Sequence, residues 1–191
     1  MSEAFAISQN SYDAKYSHDW VVMLSNETNQ FANFVRVQAL FYSSTNVLLG
    51  TSEDFAYVWP GQTSPAHGSN SYAERATRME VRVEAKPKFT DVKTQTFPRV
   101  AEVEIARDKY SAKVTGKTTS PWSTDVENLE VVCVLRDAGG VLVGVANSYL
   151  ELLPGEATAV VECSYISSDI AAKATTAEMY LVFSSISKTS E

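Results

Sequence analysis

His18 and His67 are the only histidines in the 191-residue sequence, so imidazole chemistry is confined to two places. His18 stands in a polar segment and His67 in Ala-His-Gly-Ser. Neither belongs to a His-x-x-x-His pair or to a close cluster of Cys and Asp, the spacing that zinc ligation needs. Both read as solvated imidazoles on surface loops. A Ser-His-Asp triad can be written from the many serines, but no Gly-x-Ser-x-Gly elbow presents one as a nucleophile. Glu53-Asp54 is an adjacent carboxylate pair. Calcium takes about six to eight oxygens, so the pair reads as solvated loop charge. No catalytic residue, cofactor site or metal site is expected, and the chain is not expected to be an enzyme.

The elements that would position any site follow from a repeat. Val35–Gln62 (VRVQALFYSSTNVLLGTSEDFAYVWPGQ) aligns without a gap on Leu129–Glu156 (LEVVCVLRDAGGVLVGVANSYLELLPGE), 94 positions later. Gly50 falls on Gly144, Pro60-Gly61 on Pro154-Gly155, and Val47-Leu48 on Val141-Leu142. Lys15-Tyr16-Ser17 matches Lys109-Tyr110-Ser111 at the same offset. After the repeat, Met79 aligns with Met179 at an offset of 100.

Within each copy the periodicity is that of strands. Val35, Val37, Ala39 and Phe41 share one face, as do Leu129, Val131, Cys133 and Leu135, which predicts a strand lying on a core. Asn46 aligns with Gly140, and both suit the positive φ of a hairpin turn. Gly50 and Gly144 mark a bulge in the next strand, and each Pro-Gly pair suits the centre of a type II turn. Residues 169–178 predict one or two helical turns. Many short strands with almost no helix imply an all-β chain of two tandem immunoglobulin-like antiparallel β-sandwich domains, residues 1–87 and 88–191, meeting at Lys86-Pro87.

The repeat also isolates what the copies do not share. Trp20, Trp59 and Trp122 fall on Val114, Leu153 and Thr28. Trp20 and Trp59 are expected to fill the core of the first copy. Trp122, in Ser-Pro-Trp-Ser-Thr, and Tyr42, opposite in phase to the core face, are the candidate ligand-binding rings. Cys133 and Cys163 share an inward phase. An immunoglobulin domain would bridge them, but copy one has Ala39 in place of Cys133 and no cysteine at all, so two buried free thiols are expected.

The formal net charge is −7. Residues 1–87 hold 6 Lys/Arg and 9 Asp/Glu (−3), and the rest hold 10 and 14 (−4), so neither half carries a nucleic-acid footprint. No apolar run approaches the ~20 residues of a membrane span. The amino terminus lacks the charged and apolar regions of a signal peptide. The protein is therefore expected to be cytoplasmic, or to be exported with its signal or anchor outside this sequence.

Val131–Gly144 with its trailing Leu-Pro-Gly-Glu resembles the FxLYD family, whose pattern is a hydrophobic strand ending in Leu-Tyr-Asp, a Gly-containing turn and a strand leading to Pro-Gly. Leu135, Asp137, Gly140, Pro154 and Gly155 match; Arg136 stands for Tyr and Cys133 for Phe. Copy one keeps Tyr42 and Pro60-Gly61 but has Phe41 for Leu and Ser43 for Asp. The pattern is also similar to fibronectin type III and other sandwich modules. The resemblance implies a bacterial extracytoplasmic module, secreted or tethered to the envelope, with no catalytic residue carried over. The expected role is a non-catalytic spacer or protein-binding module, and the alternative a carbohydrate-binding accessory module, with an unknown protein or glycan as partner. An active site at the domain junction has no motif behind it.

Overall fold

A computed structural model describes the chain apart from residues 1–4, 14, 16–17, 84–87, 92–95, 185–186 and 190–191. Its elements are β1 (Phe5–Tyr12), β2 (Asp19–Asn26), β3 (Gln30–Tyr42), β4 (Leu48–Val58), β5 (Thr63–Ser69), a 3-10 turn (Ser71–Arg75), β6 (Arg78–Val83) and β7 (Lys88–Asp91). Then come β8 (Val100–Arg107), β9 (Ser111–Thr119), β10 (Val126–Arg136), β11 (Leu142–Leu153), β12 (Thr158–Ser167), α1 (Ser168–Lys173), β13 (Thr176–Val182) and β14 (Lys188–Thr189).

The strands form four antiparallel sheets, stacked in two pairs. In the N-terminal pair, β1-β2-β5 faces β4-β3-β6, with β7 continuing along β3. In the C-terminal pair, β8-β9-β12 faces β11-β10-β13, with β14 continuing along β10. The strand order is the same. One apolar core lies between the sheets of each pair: Trp20, Val22 and Leu24 against Val35, Val37 and Phe41 in the first, and Val114, Val161 and Ile166 against Leu129, Val131 and Leu135 in the second.

Local geometry repeats with the topology. Asn46 and Gly140 both have positive φ, 62° and 78°. Each closes a hairpin turn by donating its N–H to the carbonyl of Ser43 or Asp137, at 3.0 Å in both cases. Phe34 and Asn128, also 94 apart, share a left-handed φ of 60° and 57°. Gly50 and Gly144 sit at bulges where the β3/β4 and β10/β11 registers shift. Their missing Cβ is explained by the crossover that follows. A Cβ on Gly50 would lie 2.1 Å from the Tyr72 ring, and one on Gly144 3.0 Å from Ile170 of α1.

Three sequence expectations change. Pro60-Gly61 is central to its turn, with Gly61 at φ 67° and Gln62 N donating to Trp59 O at 3.0 Å. In the second copy the turn slips by one residue, placing Glu156 at φ 56° and bonding Ala157 N to Pro154 O at 3.3 Å. The slip follows from Gly155, whose N–H donates to Asp125 Oδ1 at 2.8 Å and whose backbone lies against Ser123. The equivalence of Met79 with Met179 also fails. Phe41 faces Met79 and Leu135 faces Ala177, so strand register sets the offset at 98. Finally, Lys86-Pro87 lies outside the described residues, and β7 pairs with β3, so the first sheet pair extends past residue 87 to Asp91.

The cysteines are a fourth correction. Cys133 and Cys163 are joined in a disulfide with Cα atoms 6.5 Å apart. The two inward-facing strands approach within bridging reach, which phase alone does not reveal. The first copy fills the equivalent space with an indole. Cys133 corresponds to Ala39, Val114 to Trp20, and Cys163, opposite Val114, to Gly68, opposite Trp20. A Cβ on Gly68 would lie 2.9 Å from Trp20 Nε1. Trp20, Ala39 and Gly68 therefore stand where Val114, Cys133 and Cys163 stand in the other core.

Two measurements check this architecture. Gly140→Val should destabilise by on the order of 1 kcal/mol in urea unfolding, because positive φ is costly for a β-branched residue; no atom lies within 4 Å of the added Cβ, so the cost is purely conformational. The double variant Cys133→Ala/Cys163→Ala should lose about 3.6 kcal/mol, the chain-entropy value for a sequence separation of 30.

Candidate functional site: the joint between the sheet pairs

The two sheet pairs meet through outer sheet faces. Val21 and Met23 of β2 point away from the N-terminal core and pack with Val132 and Val134 of β10, Leu142 of β11 and Val182 of β13. Both central strands are thus buried on both faces, which requires continuous apolar runs: Trp20–Leu24 and Val131–Leu135. Each fully buried Val or Met contributes about 1.5–3 kcal/mol.

One end of the joint is aromatic. Trp59, from the turn after β4, does not fill the N-terminal core as expected. It packs on the core of the C-terminal pair, with ring centroids 5.8 Å from Phe97, 6.0 Å from Trp122 and 5.7 Å from Phe183. Gln62 braces this contact. Its Oε1 accepts from Trp59 N and its Nε2 donates to Leu181 O, both at 3.1 Å. Beside it opens a cleft of about 570 Å³ walled by Trp59, Gln62, Phe97, Arg99, Tyr180 and Leu181. The Tyr180 hydroxyl donates to Glu178 at 3.1 Å. Burial, followed by the Glu178 charge, pushes its pKa above the ordinary tyrosine range.

The other end is polar. His67 is in β5, not in a solvated loop, and only 18% of its side chain is exposed. Its Nε2 lies 3.3 Å from Glu130 Oε1 on β10, across the joint. Asn147 Nδ2 donates to the same oxygen at 3.0 Å. Asp19 Oδ2 accepts from Val145 N at 2.8 Å, also across the joint, and Asp54 Oδ2 accepts from His67 N at 2.9 Å. Burial alone lowers the His67 pKa, but the Glu130 hydrogen bond and the charges of Asp54, Glu130 and Asp19 outweigh it, leaving the pKa raised. For Glu130, burial raises the pKa, while the His67 and Asn147 hydrogen bonds carry it below the ordinary value.

The residues singled out in the sequence lie apart. Trp122 is 4% exposed within the aromatic cluster, so its ring faces are not open to a ligand, and its indole N–H has no acceptor. The polar sequence around it misleads because the segment folds back over the core end. Tyr42 is half-buried, with the Arg78 guanidinium 4.2 Å over its ring. Arg78 also donates to Asn46 Oδ1 at 2.7 Å, holding the hairpin turn. At Tyr42's equivalent, Arg136 performs that task directly, donating to Gly140 O at 3.2 Å. Glu53-Asp54 lies in β4, not in a loop: Glu53 pairs with Arg36 at 2.6 Å, and Asp54 accepts from His67 N within β5. Among the described residues no group of three or more His, Cys, Asp or Glu is placed to hold a metal ion.

The joint should respond to pH. A group whose folded pKa is raised stabilises fully below its unfolded pKa, and that stabilisation is lost as pH rises through the folded value. His67 should therefore hold the joint most firmly below its ordinary pKa of about 6.5 and progressively less above it. Thermal melts across this range should show wild-type stability falling as pH rises relative to His67→Gln. The His67 ring titration, followed by NMR, should lie above the ordinary histidine value of about 6.5.

No protein-family model matches the chain, and no curated protein matches it. Among solved structures, red sea bream transglutaminase is similar at 10% identity over 87% of this chain. The chain spans 27% of that enzyme's length, and the TM-score of 0.27 is too low to carry an argument about fold or activity.

Proposed function

We propose that the protein is a non-catalytic extracytoplasmic module, built as two tandem immunoglobulin-like domains that act as a stiff spacer or protein-binding element of a bacterial envelope or secreted protein. The observation that carries this reading is the apolar joint of Val21, Met23, Val132 and Val134. A flexible pair of domains has no need to bury two outer sheet faces, whereas a spacer that must hold its length does. The buried Cys133–Cys163 disulfide supports an oxidising compartment. No helix among the described residues is long and apolar enough to cross a membrane.

The experiment is small-angle scattering with a joint variant. Val132→Asp buries a carboxylate in the joint while leaving each core intact, at a cost of about 3 kcal/mol. The wild type should scatter as one rigid body and the variant as two bodies with a larger radius of gyration. A wild type that already scatters as a flexible pair would refute the spacer.

Carbohydrate binding is favoured by one observation. Phe34, 46% exposed, stacks on Phe55 at 4.3 Å and meets Tyr57 edge-on at 6.0 Å, outside the core of the N-terminal pair. A glycan array supports this reading if wild type binds and Phe34→Ala does not.

A further inference from the structure

The repeat provides an internal comparison of two strand edges. β5 and β12 occupy the same position in the two sheet pairs, each at the edge of its sheet beside β2 or β9. Backbone pairing fixes which groups face outward. Asn26 N donates to Gln62 O, so even-numbered residues of β5 face β2 and odd-numbered residues face the free edge. Ser120 N donates to Ala157 O, so odd-numbered residues of β12 up to Cys163 face β9 and Thr158, Val160 and Glu162 face the free edge.

The N-terminal pair blocks its edge. Pro65 has no N–H at an outward position, and the outward N–H of His67 is taken by Asp54 at 2.9 Å. Proline and inward capture are devices that keep an edge from pairing with another chain. The C-terminal pair has no proline there and no capture of an outward N–H. Val160 stands at the equivalent of Pro65, and its side chain is 65% exposed. Glu162 stands at the equivalent of His67, and the Asp54 equivalent is Ser148, whose Oγ donates to Glu162 O and leaves the outward N–H of Glu162 without that capture. A groove of about 320 Å³ runs along this edge, between Tyr149 and Leu150 of β11 and Val160–Ser164 of β12.

We infer that the β12 edge pairs with the β12 edge of a second copy of this chain, antiparallel about Val160. A two-fold axis there sets Val160 against Val160 and Thr158 against Glu162. All three positions have outward-facing backbone groups, so each pair exchanges backbone hydrogen bonds, with Glu162 O accepting through the lone pair that Ser148 leaves open. The charges are compatible. Glu162 is held by its own Lys113 at 2.9 Å and would face Thr158, so no like charges oppose each other. The two exposed valines cover each other. The sheets join as β8-β9-β12-β12-β9-β8, six strands, within the ordinary size of a sheet. This pairing is independent of the spacer role.

Sedimentation velocity over micromolar to millimolar protein tests it. Wild type should show reversible dimerisation, and Val160→Pro, which installs the residue of the blocked edge, should raise the dimer Kd by about tenfold or more. Val160→Lys places an edge charge without a backbone constraint and should do the same, so the test survives if the proline variant fails to fold. A wild type that stays monomeric throughout overturns the inference. So does a dimer that a folded Val160 variant leaves intact, including one that associates through another surface.

Discussion

Everything else in this molecule is arranged around two strands that have no solvent face. β2 and β10 are the central strands of their sheets, and each also lies in the contact between the sheet pairs. Burial on both sides forbids the usual alternation of apolar and polar residues. It leaves Trp20–Leu24 and Val131–Leu135 as unbroken apolar runs, while the equivalents in the other copy are interrupted by polar residues: Val114-Thr-Gly-Lys-Thr118 and Val37-Gln-Ala-Leu-Phe41. The joint is thus written into one strand of each copy, and into different strands. A head-to-tail contact of this kind requires that asymmetry, because the face used by the first copy is not the face used by the second.

The same comparison accounts for the disulfide. Both cores must fill the space between β2 or β9 and the facing central strand. One uses a large ring over a glycine, and the other a valine beside a covalent bridge. The indole fills by bulk alone, since Trp20 Nε1 has no acceptor, and an unsatisfied buried donor costs about 1–3 kcal/mol. The first core offsets that with packed area, and the second gains stability by constraining its unfolded chain.

Much of the fold was legible because the repeat preserves residues with backbone duties. Asn46/Gly140 and Gly50/Gly144 announce turns and bulges without any packing knowledge. What was not legible depends on distances between strands far apart in sequence. Phase showed Cys133 and Cys163 pointing inward but not that their Cα atoms approach to 6.5 Å. His67 looked like a loop residue because its charged partner, Glu130, is 63 positions away on the other sheet pair. Trp122 looked exposed because its neighbours are polar, although the ring turns back into a core whose other members come from residues 59, 97 and 183. The apolar runs were a visible signal for the joint, yet periodicity alone cannot say which outer faces meet.

The two outer sheet faces left over differ from the two that meet in the joint. If a third sheet pair joined by the same contact, it would meet either the outer face of β8-β9-β12 or that of β4-β3-β6. On the former, Thr115 and Lys117 stand where the joint has Val21 and Met23, and Lys117 and Lys113 are paired with Glu102 and Glu162. On the latter, Gln38, Thr51 and Arg82 stand where the joint has Val132, Val145 and Tyr180, and Arg36, Arg78 and Arg82 form ion pairs with Glu53 and Glu80. Most of these positions are apolar only in the copy where the joint covers them. Leu40 and Leu48 are exceptions, apolar at positions equivalent to Val134 and Leu142, but they stand among paired charges. Neither outer face therefore repeats the apolar surface of the joint, and what the C-terminal pair presents to another chain is a strand edge rather than a face.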